Sequence, residues 1–168
     1  KEGEKIPFIV HPHGGPNARD YWGYNPEVQF YATRGYGVIQ MDYRGSTGYG
    51  RKEMMLANHE MGKSMQEDKY DALFWANEQG YVYMDNVCIS GASYGGYAAM
   101  QAATKSPEIF KCIIAYVGVY DLTSSDLRGL QWSELCQPME YIEKGNPRDP
   151  EDYKNLYENS PLFFAENI

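Results

Sequence analysis

The chain has 168 residues, 43% hydrophobic and 23% charged, which is the composition of one folded domain with room for a core and not of a disordered or fibrous segment. A net charge of −8, with only 15 scattered Lys and Arg, argues against nucleic acid and membrane surfaces as partners, because both require clustered cations. The apolar runs are far shorter than the roughly 20 residues of a bilayer span, and the opening stretch KEGEKIPFIV has no signal-peptide core.

Three cysteines, Cys88, Cys112 and Cys136, stand too far apart for a zinc set or a disulfide framework, and the two in apolar runs are expected as buried thiols. Free thiols and the absent leader make a cytoplasmic location the expectation. Sixteen tyrosines and three tryptophans serve core and surface packing more often than a ligand surface. A chain that opens on Lys1 and runs almost directly into a strand reads as a piece of something longer.

IPFIVH (6–11) is a short apolar run closed by Pro and Gly, the form of a strand buried on both faces of a parallel sheet. After the loop PHGGPNARDYWGYN, Asn25, Pro26 and Glu27 supply a cap, a first-turn proline and an early acid for a short helix that Gly35 closes. YGVIQMD (36–42) predicts a second buried strand, followed by the glycine-rich loop YRGSTGYG (43–50). Ser64 and Glu67 form a capping box, and Tyr70, Leu73 and Phe74 continue at helical spacing toward Gly80.

NVCIS (86–90) is the third strand, residues 94–104 a helix stopped ahead of Pro107, and KCIIAYV (111–117) the fourth strand. Beyond it Pro138, Pro147, Pro150 and Pro161 cut the chain into short helices and loops. Strands alternating with helices imply right-handed crossovers and a mostly parallel sheet covered on both faces, an α/β fold in a single domain spanning 1–168. The working residues of such sheets gather at the carboxyl ends of strands, so the loops after the first three strands are where a site is expected.

Gly91-Ala92-Ser93-Tyr94-Gly95 is a G-x-S-x-G pentapeptide between a predicted strand and a predicted helix. A sharp turn there holds the serine in a strained conformation and lifts its hydroxyl clear of the sheet, while side chains in place of the glycines would collide with strand and helix. It also puts Ser93 at a helix amino end, where the Tyr94 N–H is free to receive a developing oxyanion. A second donor should come from the loop after an earlier strand, and HGGP (13–16) follows the first.

HGGP, YRGSTGYG and GASYGGYA, in this order and at these spacings, resemble the catalytic domain of the prolyl oligopeptidase family of serine peptidases, and within it the HGGP form resembles acylaminoacyl peptidases and dipeptidyl-peptidase-like members more than prolyl oligopeptidase itself. The resemblance implies the α/β-hydrolase fold, present here as its amino-terminal and central strands without the family's propeller or its last strands. It implies Ser93 as nucleophile, the N–H groups of Tyr94 and Gly15 as oxyanion hole, Val117 and Tyr120 beside the pocket for the residue before the scissile bond, short peptides as substrates, and no metal or cofactor.

The family order is Ser, then Asp, then His, yet none of the residues after Ser93 is a histidine; His11, His13 and His59 all precede it. The base and the acid are therefore expected beyond Ile168. Losing the histidine of such a triad costs roughly 10⁶ in turnover, so the chain alone should be close to inert. His13 is expected to brace its loop and His59 to lie on a helix in a surface or core role. A metal site on His11 and His13 lacks a completing carboxylate pattern. Asp121, Asp126, Asp149 and Asp152 read as turn and cap residues, and Glu134, Glu140 and Glu143 as a solvated helix face.

Two other functions fit the residues. A carboxylesterase would use the same elbow, since the fold does not settle the substrate, and a non-catalytic domain would keep the scaffold as a binding module. Truncation also predicts an exposed apolar edge at the fourth strand, and with it self-association.

Overall fold

The computed structural model describes residues 4–124 and 141–168. Four strands, β1 (Ile6–Val10), β2 (Gly37–Ile39), β3 (Val82–Ala92) and β4 (Cys112–Tyr116), form one sheet in the order β2-β1-β3-β4 with every neighbouring pair parallel. The connections carry α1 (Pro26–Ala32), α2 (Arg51–Met55), α3 (Ser64–Glu78) and α4 (Tyr94–Lys105), and α5 (Pro150–Glu158) with a 3₁₀ segment (Pro161–Asn167) follows the sheet.

Local chemistry starts the helices where it is strongest. The Asn25 side chain accepts from the amides of Glu27 and Val28, and that of Asp149 from Glu151 and Asp152, each ahead of a first-turn proline. Right-handed crossovers place α1 on one face of the sheet and α3 and α4 together on the other, where the two helices touch. Val10, Val87 and Ile89 pack there against Leu73 and Ala76 of α3 and Ala99 and Ala102 of α4. The alanines bring α4 close to the strands.

The chain order reverses between β1 and β3, and the crevice of such a sheet opens beyond the carboxyl ends of those two strands. Their next residues are the HGGP loop and Ser93. A second cluster, with Tyr43, Met65, Tyr94, Tyr97, Leu122 and Leu156 among its members, fills the space beneath this end of the sheet.

The structure corrects several expectations. β2 is three residues long, and β3 starts at Val82, four residues earlier than NVCIS. Ser64 is the first helical residue of α3 and not its cap: its hydroxyl donates to Glu60 Oε2 at 2.6 Å, a competing acceptor one turn upstream. The short helix α2 was not foreseen, because only Gly50 precedes it as a cap.

His59 lies outside any helix, at φ 60° in the turn between α2 and α3, with Nδ1 3.3 Å from Asp152 Oδ1. Asp152 also accepts from the Asn146 amide, so it tethers two segments in addition to standing in the first turn of α5. Glu143 does not belong to a solvated face: half-buried, it accepts from the Asn17 side chain, and its carbonyl accepts from the His59 amide. Cys88 is half-buried and Cys112 exposed, because β4 is an edge strand of the described sheet. Asp126, Glu134, Glu140 and Cys136 lie outside the described residues.

Candidate active site

Ser93 joins β3 to α4 at φ 56° and ψ −117°, outside the regions an L-residue ordinarily occupies. Packing holds it there. A Cβ at Gly91 would stand 2.6 Å from the Gly95 carbonyl carbon, and one at Gly95 would stand 2.3 Å from the Pro12 carbonyl oxygen, so strand, turn, helix and neighbouring loop close on one another only with glycine at both positions. The Ser93 amide donates to Tyr116 O at 3.0 Å, tying the turn to the end of β4, and the residue itself is exposed.

The HGGP loop runs directly against this turn, for a Cβ on Gly14 would lie 3.5 Å from Ser93 Cβ. Gly15 has φ 132°, and the Ala18 amide donates to Pro16 O at 2.8 Å, which turns the loop sharply after it. Tyr94 is the first residue of α4, so its N–H belongs to the helix end that has no intrahelical acceptor. The structure thus sets Ser93 and Tyr94 at one junction with Gly14, the residue that precedes Gly15 in the HGGP loop.

The loop is braced from below. Nδ1 of His13 lies 2.7 Å from Gly14 O, Nε2 lies 2.9 Å from Ser46 Oγ, and the ring stacks on Tyr43 at 4.3 Å. Both ring nitrogens thus face groups of the loops, the bracing role expected of His13. The Tyr43 hydroxyl donates to His13 O at 2.7 Å. His11 performs a similar task one residue past β1, with Nδ1 2.9 Å from Ser90 O. Among the described residues no group of three or more His, Cys, Asp and Glu is placed to hold a metal ion.

Beside this brace, Asp42 accepts from the Asp20 amide and the Tyr49 hydroxyl and stands 3.6 Å from His13 Nε2. Burial pushes the Asp20 carboxyl up, opposed by the nearby His13 and reinforced by Asp42. Arg44 grips Asp68 of α3 through Nε at 2.9 Å and a terminal nitrogen at 2.7 Å, pinning the YRGSTGYG loop to the helix. Burial raises the Asp68 carboxyl, but the Arg44 hydrogen bonds and charge outweigh it and hold the group below its ordinary value.

Val117 and Tyr120 lie past the end of β4. Val117 is 65% exposed at φ 45°, whereas the Tyr120 hydroxyl turns back to accept from the Gly118 amide and donate to Ala115 O. Asp121 closes the adjoining turn, accepting from the amide and hydroxyl of Thr123. On the other flank a cavity of about 190 Å³, lined by Pro16, Met54, Ala57, Met61 and Ile142 among others, opens beside the HGGP loop. Sequence reasoning missed Tyr43, Arg44, Ser46 and Asp68; the only signal was that the first three lie in a glycine-rich loop after a strand, while Asp68 stands on α3.

Residues 22–168 match the model of the prolyl oligopeptidase family. The chain is 38% identical over 164 residues to dipeptidyl aminopeptidase BIII of Pseudoxanthomonas mexicana, and 35% identical over 163 residues to dipeptidyl peptidase family member 6 of Caenorhabditis elegans, covering 97% and 96% of itself but 24% and 22% of those proteins. The crystal structure of acylaminoacyl peptidase from Pyrococcus horikoshii superposes on the whole chain with a TM-score of 0.85 at 29% identity, the match taking in 26% of that structure. The chain therefore spans about a quarter of the length of the relatives it matches. Its fold is a partial α/β-hydrolase, and the chain belongs to the prolyl oligopeptidase family.

Proposed function

We propose that this chain is the nucleophile-bearing part of a serine peptidase that cleaves short peptides through an acyl-enzyme on Ser93. The observation that carries the reading is the exposed Ser93 at φ 56°, with the backbone of the HGGP loop packed against it. A structural turn gains nothing from holding a non-glycine residue in that conformation, whereas a nucleophile gains access.

In this mechanism the Ser93 oxygen adds to the carbonyl carbon of the scissile peptide bond, and a histidine supplied by sequence beyond Ile168 takes its proton. The carbonyl oxygen gains the negative charge and is met by the N–H groups of Tyr94 and Gly15. The same proton passes to the leaving amine as the C–N bond breaks, leaving an ester on Ser93. Water, deprotonated by the histidine, then releases the acyl group and restores the hydroxyl. An aspartate, likewise outside these residues, orients the imidazole. Val117 and Tyr120 border the acyl side, and no step calls for a metal or cofactor.

The test is covalent labelling by a fluorophosphonate probe, comparing this chain with the same chain extended through the sequence that follows Ile168. Labelling of the extended form alone, lost in Ser93→Ala, is the expected result. Comparable labelling of the short chain would place a base among the residues described, and no labelling of either form would overturn the peptidase reading.

A further inference from the structure

Lys69, in the middle of α3, is completely buried. Lysines are almost never fully buried without a partner, yet among the described residues the only hydrogen bond of its ammonium goes to Met65 O, one turn back in its own helix. The neighbouring carboxylate, Asp68, is committed to Arg44. What surrounds the ammonium is aromatic: Nζ lies 3.8 Å from the centroid of the Tyr43 ring and 5.2 Å from that of Tyr94.

Those two rings belong to the two halves of the candidate oxyanion hole. Tyr94 carries one donor N–H on its own backbone, and its buried hydroxyl has no hydrogen-bond partner among the described residues, so packing against Tyr43, Tyr97 and Lys69 sets where the ring sits. Tyr43 holds the other half, since it stacks on His13 and donates to its carbonyl, two residues ahead of Gly15.

We propose that Lys69 is a positioning residue, its ammonium drawing the Tyr43 and Tyr94 rings together so that the Gly15 and Tyr94 amides converge on one oxyanion. This rests on the reading of Ser93 as nucleophile. Burial lowers the ammonium to about 7, with Asp68 opposing and Arg44 adding to the shift, so the cation that holds the rings is the form present at and below that pH. A leucine or methionine would be the more stable occupant of such a place, and an acceleration of catalysis accounts for a cation there.

The experiment uses the extended protein at pH 6, where Lys69 is protonated, and compares it with Lys69→Met, a change that keeps the volume and removes the charge. The expected result is a kcat lower by about ten-fold with KM unchanged, a part of the 10²–10³ that loss of an oxyanion donor costs, together with a higher melting temperature. Unchanged kcat, a proportional change in KM, or a joint fall of kcat and melting temperature would each overturn the proposal, the last because it marks a merely structural residue.

Tyr43→Phe keeps the ring but cuts its hydroxyl from His13, and it supplies the second variant. Its loss combined with that of Lys69→Met should be smaller than the product of the two, because both act on one linkage; independent losses would overturn the proposal even if Lys69→Met alone proved hard to produce. If the unmodified extended protein does not label at Ser93, it is the peptidase reading that fails, and this is visible before any variant is compared.

Discussion

At φ 56° and ψ −117°, Ser93 stores strain of about 1–3 kcal/mol, and Lys69 sits where a charge is poorly solvated. Both costs can be measured. Glycine relieves the first without repacking, so Ser93→Gly should melt at a higher temperature than Ser93→Ala while neither labels; equal melting temperatures would mean the turn is unstrained. For Lys69 the sign follows from its lowered value of about 7 against an ordinary 10.5. Between those two pH values the unfolded chain holds a proton that the folded chain has released, so stability rises with pH across this window, at a slope of up to about 1.4 kcal/mol per pH unit. The contribution is complete above 10.5 and lost as pH falls through 7. Lys69→Met should remove this part of the slope in urea unfolding followed from pH 6 to pH 10; a slope unchanged by the substitution would show that Lys69 stays protonated throughout.

Helix α3 is tied to the loop after β2 by the two-pronged contact between Arg44 and Asp68, whose side chains are 33% and 20% exposed. Because Asp68 is held below its ordinary value, it stabilises the fold above pH 3.8 and loses that effect as pH falls through the lower native value. Asp68→Asn should therefore destabilise the fold at pH 7 by about 1.5–3 kcal/mol, the range for hydrogen bonds to charged groups, and should flatten the acid limb of the stability profile. An acid limb identical to that of the unchanged protein would assign it to other carboxylates. This pair also marks where sequence reading stops. The turn at Ser93 is legible because its glycines and serine lie within five residues and the clash that Gly91 avoids, with Gly95, is inside the turn, although the clash that Gly95 avoids, with Pro12 O, is not. α1 and α5 are legible through Asn25-Pro26 and Asp149-Pro150, again neighbours in the chain. Lys69, between Asp68 and Tyr70, reads as an ordinary helix-surface lysine; only the packing of Tyr43 and Tyr94 over α3 removes it from water. Cys112 fails in the opposite direction, since an apolar run looks buried unless one knows which strand stands at the edge.

The four-stranded sheet ends in two edge strands among the described residues, β2 of three residues and β4 of five. On β4, Ile113 and Ala115 are half-covered while Ile114 and Tyr116 are 43% and 67% exposed, and β4 pairs with β3 alone among the described residues. Its outer row of N–H and C=O groups, flanked by apolar side chains, is a template for another strand. In the 168-residue chain taken by itself, a second copy can supply that strand edge to edge, and the net charge of −8 opposes the approach at low ionic strength. Association of the isolated chain should therefore grow with concentration and with added salt. Ile114→Lys puts a charge on the exposed strand and should shift the population toward monomer; its register partner is Ser90, three residues short of Ser93. Sedimentation velocity at two salt concentrations separates the outcomes: salt-promoted dimers abolished by Ile114→Lys are expected, dimers indifferent to that substitution would place the contact elsewhere, and a monomer under all conditions would show that the edge is already covered.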